Sequence, residues 1–273
     1  MLNIITAFHV EAQPLIEYFQ LKKLVEHNVF ETYRNDEQSI SLTISGLGKL
    51  NASAAVIYSA SLKPISKNDC WINIGIAGHP SIEIGTAILA NKVIDESSHQ
   101  NWYPQIVFDT DIIKAPLTTV DEPTANYPSG SAVDMEASGF LSSASRISTT
   151  ELIHCLKIIS DNKSCSFKSL NKQKIKAMIQ DNIHCVTDIL SKLENLTTDA
   201  QDSKIIMDIY QALIDPIHFT HSEKNKLKKI LHKWNALMPD AMPDLNYCIG
   251  LKNANKILNY LSENLNKHPV SFQ

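Results

Sequence analysis

The sequence predicts an α/β fold followed by a smaller helical part, and three observations carry that prediction. First, residues 2–8 and 70–75 are mostly apolar, interrupted by Asn3, Thr6 and Asn73, and 156–159 is apolar but for Lys157, as suits strands buried on both faces. Second, the segments between such runs have helical character. Two of them, 51–61 and 137–146, are rich in Ala and Ser, which lets a helix lie close against a sheet. Third, strand signals stop near residue 196, and three helical segments follow at 203–214, 222–237 and 252–265, with Pro216, Pro239 and Pro243 at the joins. The expected division is a domain over 1–196 and a helical extension over 197–273.

Composition narrows the function classes. A chain of 273 residues with 44% hydrophobic and 20% charged residues buries a full core. Its net charge of −4 gives no general attraction to nucleic acid or anionic membrane, so a small molecule is the expected ligand. Five cysteines, Cys70, Cys155, Cys165, Cys185 and Cys248, are widely spaced with no C-x-x-C pair. Neither a disulfide framework nor a zinc site is readable, and a reducing cytoplasm is the expected location. No apolar run approaches membrane-spanning length, and the N-terminus, with no basic start and with His9 and Glu11 interrupting it, reads as a strand rather than a leader.

Taken in order, residues 2–8 form the first strand and 11–19 a helix, which leaves Glu11 at the turn between them. Residues 29–34 and 39–45 read as an antiparallel pair joined by a polar turn at 35–38. Gly46 and Gly48 lead into the helix at 51–61, and the strand at 70–75 ends in the small-residue loop Gly75-Ile76-Ala77-Gly78. A further strand is expected over 85–95. His99, Trp102, Tyr103 and Phe108 then mark an aromatic-rich loop that suits a pocket wall or a subunit contact. The stretch Ser131-Ala132-Val133-Asp134-Met135-Glu136-Ala137 hands a short strand over to a helix, delivering Glu136 at a strand end; the strand at 153–160 likewise delivers Asp161. Apolar residues at three- and four-residue spacing predict one amphipathic helix over 171–196. In the extension, Ser222 with Glu223 reads as a helix start. Lys224, Lys226, Lys228, Lys229 and Lys233 lie opposite Leu227, Ile230, Leu231 and Trp234, a pattern read as a solvated basic face.

Val-Asp-Met-Glu-Ala at 133–137 and Ile-Ser-Asp-Asn at 159–162 resemble the purine nucleoside phosphorylase and methylthioadenosine/S-adenosylhomocysteine nucleosidase superfamily. Ser45-Gly46-Leu47-Gly48-Lys49, Asn73-Ile74-Gly75-Ile76-Ala77-Gly78 and Glu11 match the same pattern in the same order, over about residues 1–196. The resemblance implies a three-layer α/β/α sandwich with a mixed central sheet, working as a homodimer or higher homo-oligomer. It implies a purine nucleoside as ligand and no metal or organic cofactor.

The implied reaction is cleavage of an N-glycosidic bond through an oxocarbenium-like sugar. Asp161 would protonate N7 of the leaving purine, oriented by Ser160 or Asn162. Glu136 would accept hydrogen bonds from the ribose 2′- and 3′-hydroxyls, with Met135 packed on the sugar face, and Glu11 would activate water. Ala77 and Gly78 would run beneath ribose and base, Val120 would touch the purine, and Asp134 and Lys157 complete the expected binding set. Phosphorylases grip phosphate with arginines, but this chain has only Arg34 and Arg146, neither in a glycine-rich loop. Water is therefore the favoured nucleophile, while Lys49 and Lys157 keep phosphorolysis as an alternative. Three features keep open a third reading, a retired enzyme scaffold that binds a nucleoside or a partner: Ile76 where many members carry a hydroxyl, His9 where nucleosidases often carry an acid, and a shortened purine segment at 115–130.

Overall fold

Side chains of β1 (Leu2–Thr6) alternate between two cores, with Ile4 in one and Ile5 in the other, so the strand needs cover on both faces. It lies inside a sheet shown by a computed structural model that describes residues 1–25, 29–37, 39–124, 127–128, 130–238 and 241–266. Gln38 of the predicted turn and Pro239 lie outside the described residues. The chain divides into two units, Met1–Thr197 and Thr198–Gln273.

In the first unit β1 leads to α1 (His9–Tyr18), a short β2 (Lys22–Lys23), and the antiparallel pair β3 (Glu31–Arg34) and β4 (Ile40–Ile44). Then come α2 (Lys49–Ser61), β5 (Cys70–Gly78), β6 (Ala87–Asp95), β7 (Asn101–Trp102), β8 (Ile113–Thr119), β9 (Ala132–Asp134), α3 (Ala137–Ile147), β10 (Ile153–Asp161), α4 (Lys172–Asp181) and the first part of α5 (Ile183–Ile214), whose residues from Thr198 on are counted in the second unit. The sheet is mixed. β1 runs parallel to β4 and β5, and β5 parallel to β10, whereas β6 is antiparallel to β10 and parallel to β8. β9 runs parallel to β8 and meets β5 at the single pair Gly78↔Val133, so β5, β10, β6, β8 and β9 close into a ring of strands. Residues from α1, α4 and the start of α5 join the core that holds Ile4, Ile72 and Leu156; residues from α2 and α3 join the one that holds Ile5, Trp71 and Cys155.

Two expectations about elements are corrected here. Gly75–Gly78 is not a loop: these residues end β5, because β10 pairs with them residue by residue up to Asp161↔Gly78. The helix predicted over 171–196 is two helices. The Asn182 side chain ends the first by donating to the carbonyls of Met178 and Gly85, both at 2.9 Å, and Gly85 belongs to a distant loop.

Gly139 on α3 illustrates how closely α2 and α3 approach. A Cβ there would fall 1.8 Å from the Lys49 carbonyl oxygen, a backbone atom with little freedom to retreat. Alanine is the better helix former by about 1 kcal/mol, but overpacking against backbone costs about 3 kcal/mol and wins. Gly139→Ala is therefore expected to lower the urea midpoint clearly; a raised midpoint would mean the two helices do not touch.

The described part of the second unit is helical, with its own core around Leu213, Leu227, Ile257 and Leu261. The helix predicted at 203–214 is the continuation of α5 rather than a separate element. α6 (His221–Leu237) is capped by Thr220, two residues before the predicted start, in a reciprocal box with Glu223. α7 (Leu245–Gly250), which the periodicity does not reveal, starts where Asp244 accepts the Tyr247 amide at 3.0 Å, and α8 (Ala254–Asn266) follows. Leu227, Leu231 and Trp234 of α6 are buried while Lys226, Lys228, Lys229 and Lys233 are exposed. Among the described residues no helix is long and apolar enough to cross a membrane.

Candidate active site

Three strand ends of the first unit open on one cavity of about 270 Å³. β1 ends at Thr6, and the turn into α1 places Glu11 so that its carboxylate folds back on the chain. Its Oε2 accepts from the amides of Ala7 and Phe8 at 3.0 and 2.9 Å, and its Oε1 from the Ile76 amide at 3.1 Å. Three fixed donors orient the group without help from solvent. Burial nevertheless pushes its pKa up, against the pull of Lys157 and the amides. A Cβ at residue 75 would lie 2.9 Å from Glu11 Oε1, so glycine there lets the carboxylate rest on β5 without being displaced.

Glu136 follows β9 and precedes the first turn of α3. The Gly48 amide donates to its Oε1 at 2.9 Å, and burial raises its pKa to about 7. Asp134, two residues earlier, turns its carboxylate inward. Its Oδ2 stands 2.9 Å from Lys157 Nζ and accepts the Ala137 amide at 2.9 Å, while Oδ1 accepts from Thr119 Oγ1 at 2.8 Å. Burial opposes the charge on Lys157, but Asp134 and Glu136 hold its pKa above the ordinary lysine value.

A register irregularity at the end of β10 sets Asp161 beside Gly78. Ser160 Oγ donates to Asp161 Oδ1 at 2.6 Å, Tyr127 Oη donates to Oδ2, and the Asp161 carbonyl accepts the His79 amide at 3.0 Å. Ala77, Gly78, Val120, Met135 and Ser160 line the same cavity as Glu11, Glu136 and Asp161.

Two residues expected to touch the ligand do not line the cavity. Lys157 is 1% exposed and lies behind the wall, neutralising Asp134. Asn162 turns away: its Oδ1 accepts the amides of Ser164 and Cys165 at 2.9 and 3.0 Å, and its Nδ2 donates to the Ile82 carbonyl. Asp134 reaches the wall, but its carboxylate is taken up by Lys157, Thr119 and the Ala137 amide. Sequence reasoning misses Phe8, Leu47, Tyr127, Phe167 and Leu170, all on the cavity wall. Phe8 and Leu47 adjoin the motifs and are recoverable by adjacency; Tyr127, Phe167 and Leu170 belong to connecting segments with no pattern to mark them.

The other cations named from the sequence stand as follows. Lys49 Nζ contacts Asp95 at 3.0 Å and Asp121 at 2.8 Å and donates to Ser97. Arg34 and Arg146 are not on the cavity wall. Among the described residues no group of three or more His, Cys, Asp or Glu side chains is placed to hold a metal ion.

No family model matches the chain, and no curated protein sequence matches it. Its structure is similar to several solved nucleosidases. The apo 5′-methylthioadenosine nucleosidase of Arabidopsis thaliana is 16% identical, with a TM-score of 0.58 over 70% of this chain and 95% of that one. The 5′-methylthioadenosine/S-adenosylhomocysteine nucleosidase of Neisseria meningitidis, in complex with methylthio-immucillin-A, is 16% identical, with a TM-score of 0.54 over 67% of this chain and 97% of that one. The corresponding enzyme of Colwellia psychrerythraea, solved with adenine, is 18% identical, with a TM-score of 0.56 over 70% and 95%. The resemblance carried by five short sequence matches is thus met by a likeness spanning nearly the whole of each neighbour, and the chain has the fold of the nucleoside phosphorylase/nucleosidase superfamily.

Proposed function

We propose that residues 1–196 hydrolyse the N-glycosidic bond of a purine nucleoside of the 5′-modified adenosine type, releasing free base and the ribose moiety. The observation that carries this reading is the convergence of Glu11, Glu136 and Asp161 on one cavity that is otherwise largely apolar in its wall residues. The helices on both faces of the sheet support a three-layer arrangement, and the three carboxylates all come from the first unit. The extension 197–273 supplies none of them.

Each carboxylate has one task. Asp161 faces the base and gives a proton to N7, so that the purine leaves neutral; Ser160 holds it in place. Glu136 accepts from the 2′- and 3′-hydroxyls and sets negative charge beside the developing oxocarbenium ion. Glu11, fixed by three amides, orients water on the face opposite the leaving base and takes its proton. Phosphorolysis fits less well. A phosphate would sit among buried carboxylates, while Lys49 and Lys157 are already bound to Asp95, Asp121 and Asp134.

Product analysis with methylthioadenosine, S-adenosylhomocysteine, adenosine, inosine and futalosine, each with and without phosphate, tests the reading. Free base without phosphate is the expected result. Release only with phosphate makes the protein a phosphorylase, and no release from any substrate rejects the enzyme reading.

The pH profile offers a separate check. Only ionised Glu136 accepts from both hydroxyls, and its carboxyl is raised to about 7. In Asp161→Asn, where no acid titrates at that position, the residual hydrolysis should therefore rise with pH to a plateau above about 7, with kcat/KM falling about tenfold per unit on the acid side. A profile that stays flat from about 5 to about 8 would remove Glu136 from that role.

A further inference from the structure

We propose that the Tyr127 side chain occupies the place of the base in the ligand-free protein and sets the affinity of the site for its base. The inference rests on the nucleosidase reading above. Three contacts locate the ring. Tyr127 Oη donates to Oδ2 of Asp161, the group read as facing N7 of the purine. The ring, 7% exposed, forms a small buried cluster with Val120 and Val133 on which Met135 packs; Val120 and Met135 are the residues read as touching base and sugar. A Cβ at residue 78 would come within 2.6 Å of both Tyr127 Cε1 and Asp161 Oδ2, so the ring lies directly on the glycine that leaves room for a flat ligand. A purine bound as proposed would present the same features, a flat ring over Gly78 with a hydrogen-bonding edge at Asp161.

Asp161 is only 5% exposed, and Ser160 holds its other oxygen. A base that meets Oδ2 must therefore replace the Tyr127 hydroxyl. The Tyr127 hydroxyl donates to the ionised carboxylate, whereas N7 accepts from the protonated carboxyl, so binding of the base takes up a proton at Asp161. A buried carboxyl group deprived of a partner is costly, so the ring leaves only for a ligand that gives Oδ2 a new partner. Until then the apparent affinity for any base is reduced by the fraction of molecules in which the ring has moved out.

The test is calorimetric titration of the full chain with adenine, for the wild type, Tyr127→Phe and Tyr127→Leu, beside a hydrolysis assay of each with the five nucleosides named above. Tyr127→Phe keeps the ring and loses the bond to Asp161. It should bind adenine about fivefold more tightly, the change expected for one net hydrogen bond removed from the ligand-free state. Tyr127→Leu should bind at least as tightly as Tyr127→Phe; if it fails to fold, Tyr127→Phe decides. Equal or weaker adenine binding in the variants, with hydrolysis by the wild type, overturns this inference and leaves the nucleosidase reading standing. Tighter binding without turnover by any of the three proteins retains the inference and overturns the hydrolytic reading. Neither binding nor turnover in all three rejects both.

Discussion

Asp161→Asn is expected to lower base release by about a hundredfold to ten-thousandfold, the range that a positioned general acid contributes, while the protein stays folded. The substitution preserves shape. The oxygen of the introduced amide still accepts one hydroxyl, and its nitrogen can donate to the oxygen of the other, so Ser160 and Tyr127 both retain a partner. What disappears is an acidic proton: an amide cannot protonate N7, and the purine must leave as an anion. Single-turnover assays with the substrate found by product analysis, together with an unchanged urea midpoint, read the two halves of this expectation. Activity within fivefold of the wild type would show that the leaving base takes its proton elsewhere, and the assignment of the three carboxylates would have to be redrawn.

The carboxylates are legible because each sits where one local signal, a strand end followed by a helix start, already narrows its position. Glu136 and Asp161 are marked by the strand ends and the short motifs around them; Glu11, which locally reads equally as a first-turn helix acid, is nominated only together with the other matches to the superfamily pattern. Lys157 is misjudged from sequence for the opposite reason. On a nine-residue buried strand an isolated lysine suggests a ligand contact, and the partner that makes it structural, Asp134, lies on β9 and meets it only through the closed ring of strands. That ring hinges on the single pair Gly78↔Val133, which leaves no periodic trace in the sequence. The break at Asn182 is equally long-range, since the carbonyl that receives its amide belongs to Gly85. Tyr127 lies between the element signals, and nothing in residues 120–130 distinguishes a tyrosine bound to a buried aspartate from one exposed on a loop.

Lys157→Met should have the largest effect on stability, a loss of about 3–5 kcal/mol, the cost of stripping a buried charge of its partner. Methionine has nearly the length of lysine and fits an apolar strand, so the loss is electrostatic rather than one of packing. Lys157 Nζ stands 2.9 Å from Asp134 and 4.0 Å from Glu136, and its charge also reaches Glu11. Without it, three buried carboxylates face one another with their shared cation gone. The folded-state pKa values of Glu11 and Glu136, already raised by burial, then rise further above those of the unfolded chain, so the folded variant takes up protons. A raised folded-state pKa gives stability that is present below the unfolded value and lost as pH rises through the folded one. The deficit relative to wild type should therefore be small near about pH 4 and widen toward about pH 8, as read from urea midpoints across that range. Adding Asp134→Asn should recover part of it, because the amide oxygen introduced there can still accept from Thr119 or from the Ala137 amide, and one fewer negative charge is left unpaired. A Lys157→Met protein as stable as wild type at the higher pH would mean that these carboxylates are already protonated there. Glu136 could not then ionise to hold the ribose, and the same result would undercut its proposed part in catalysis.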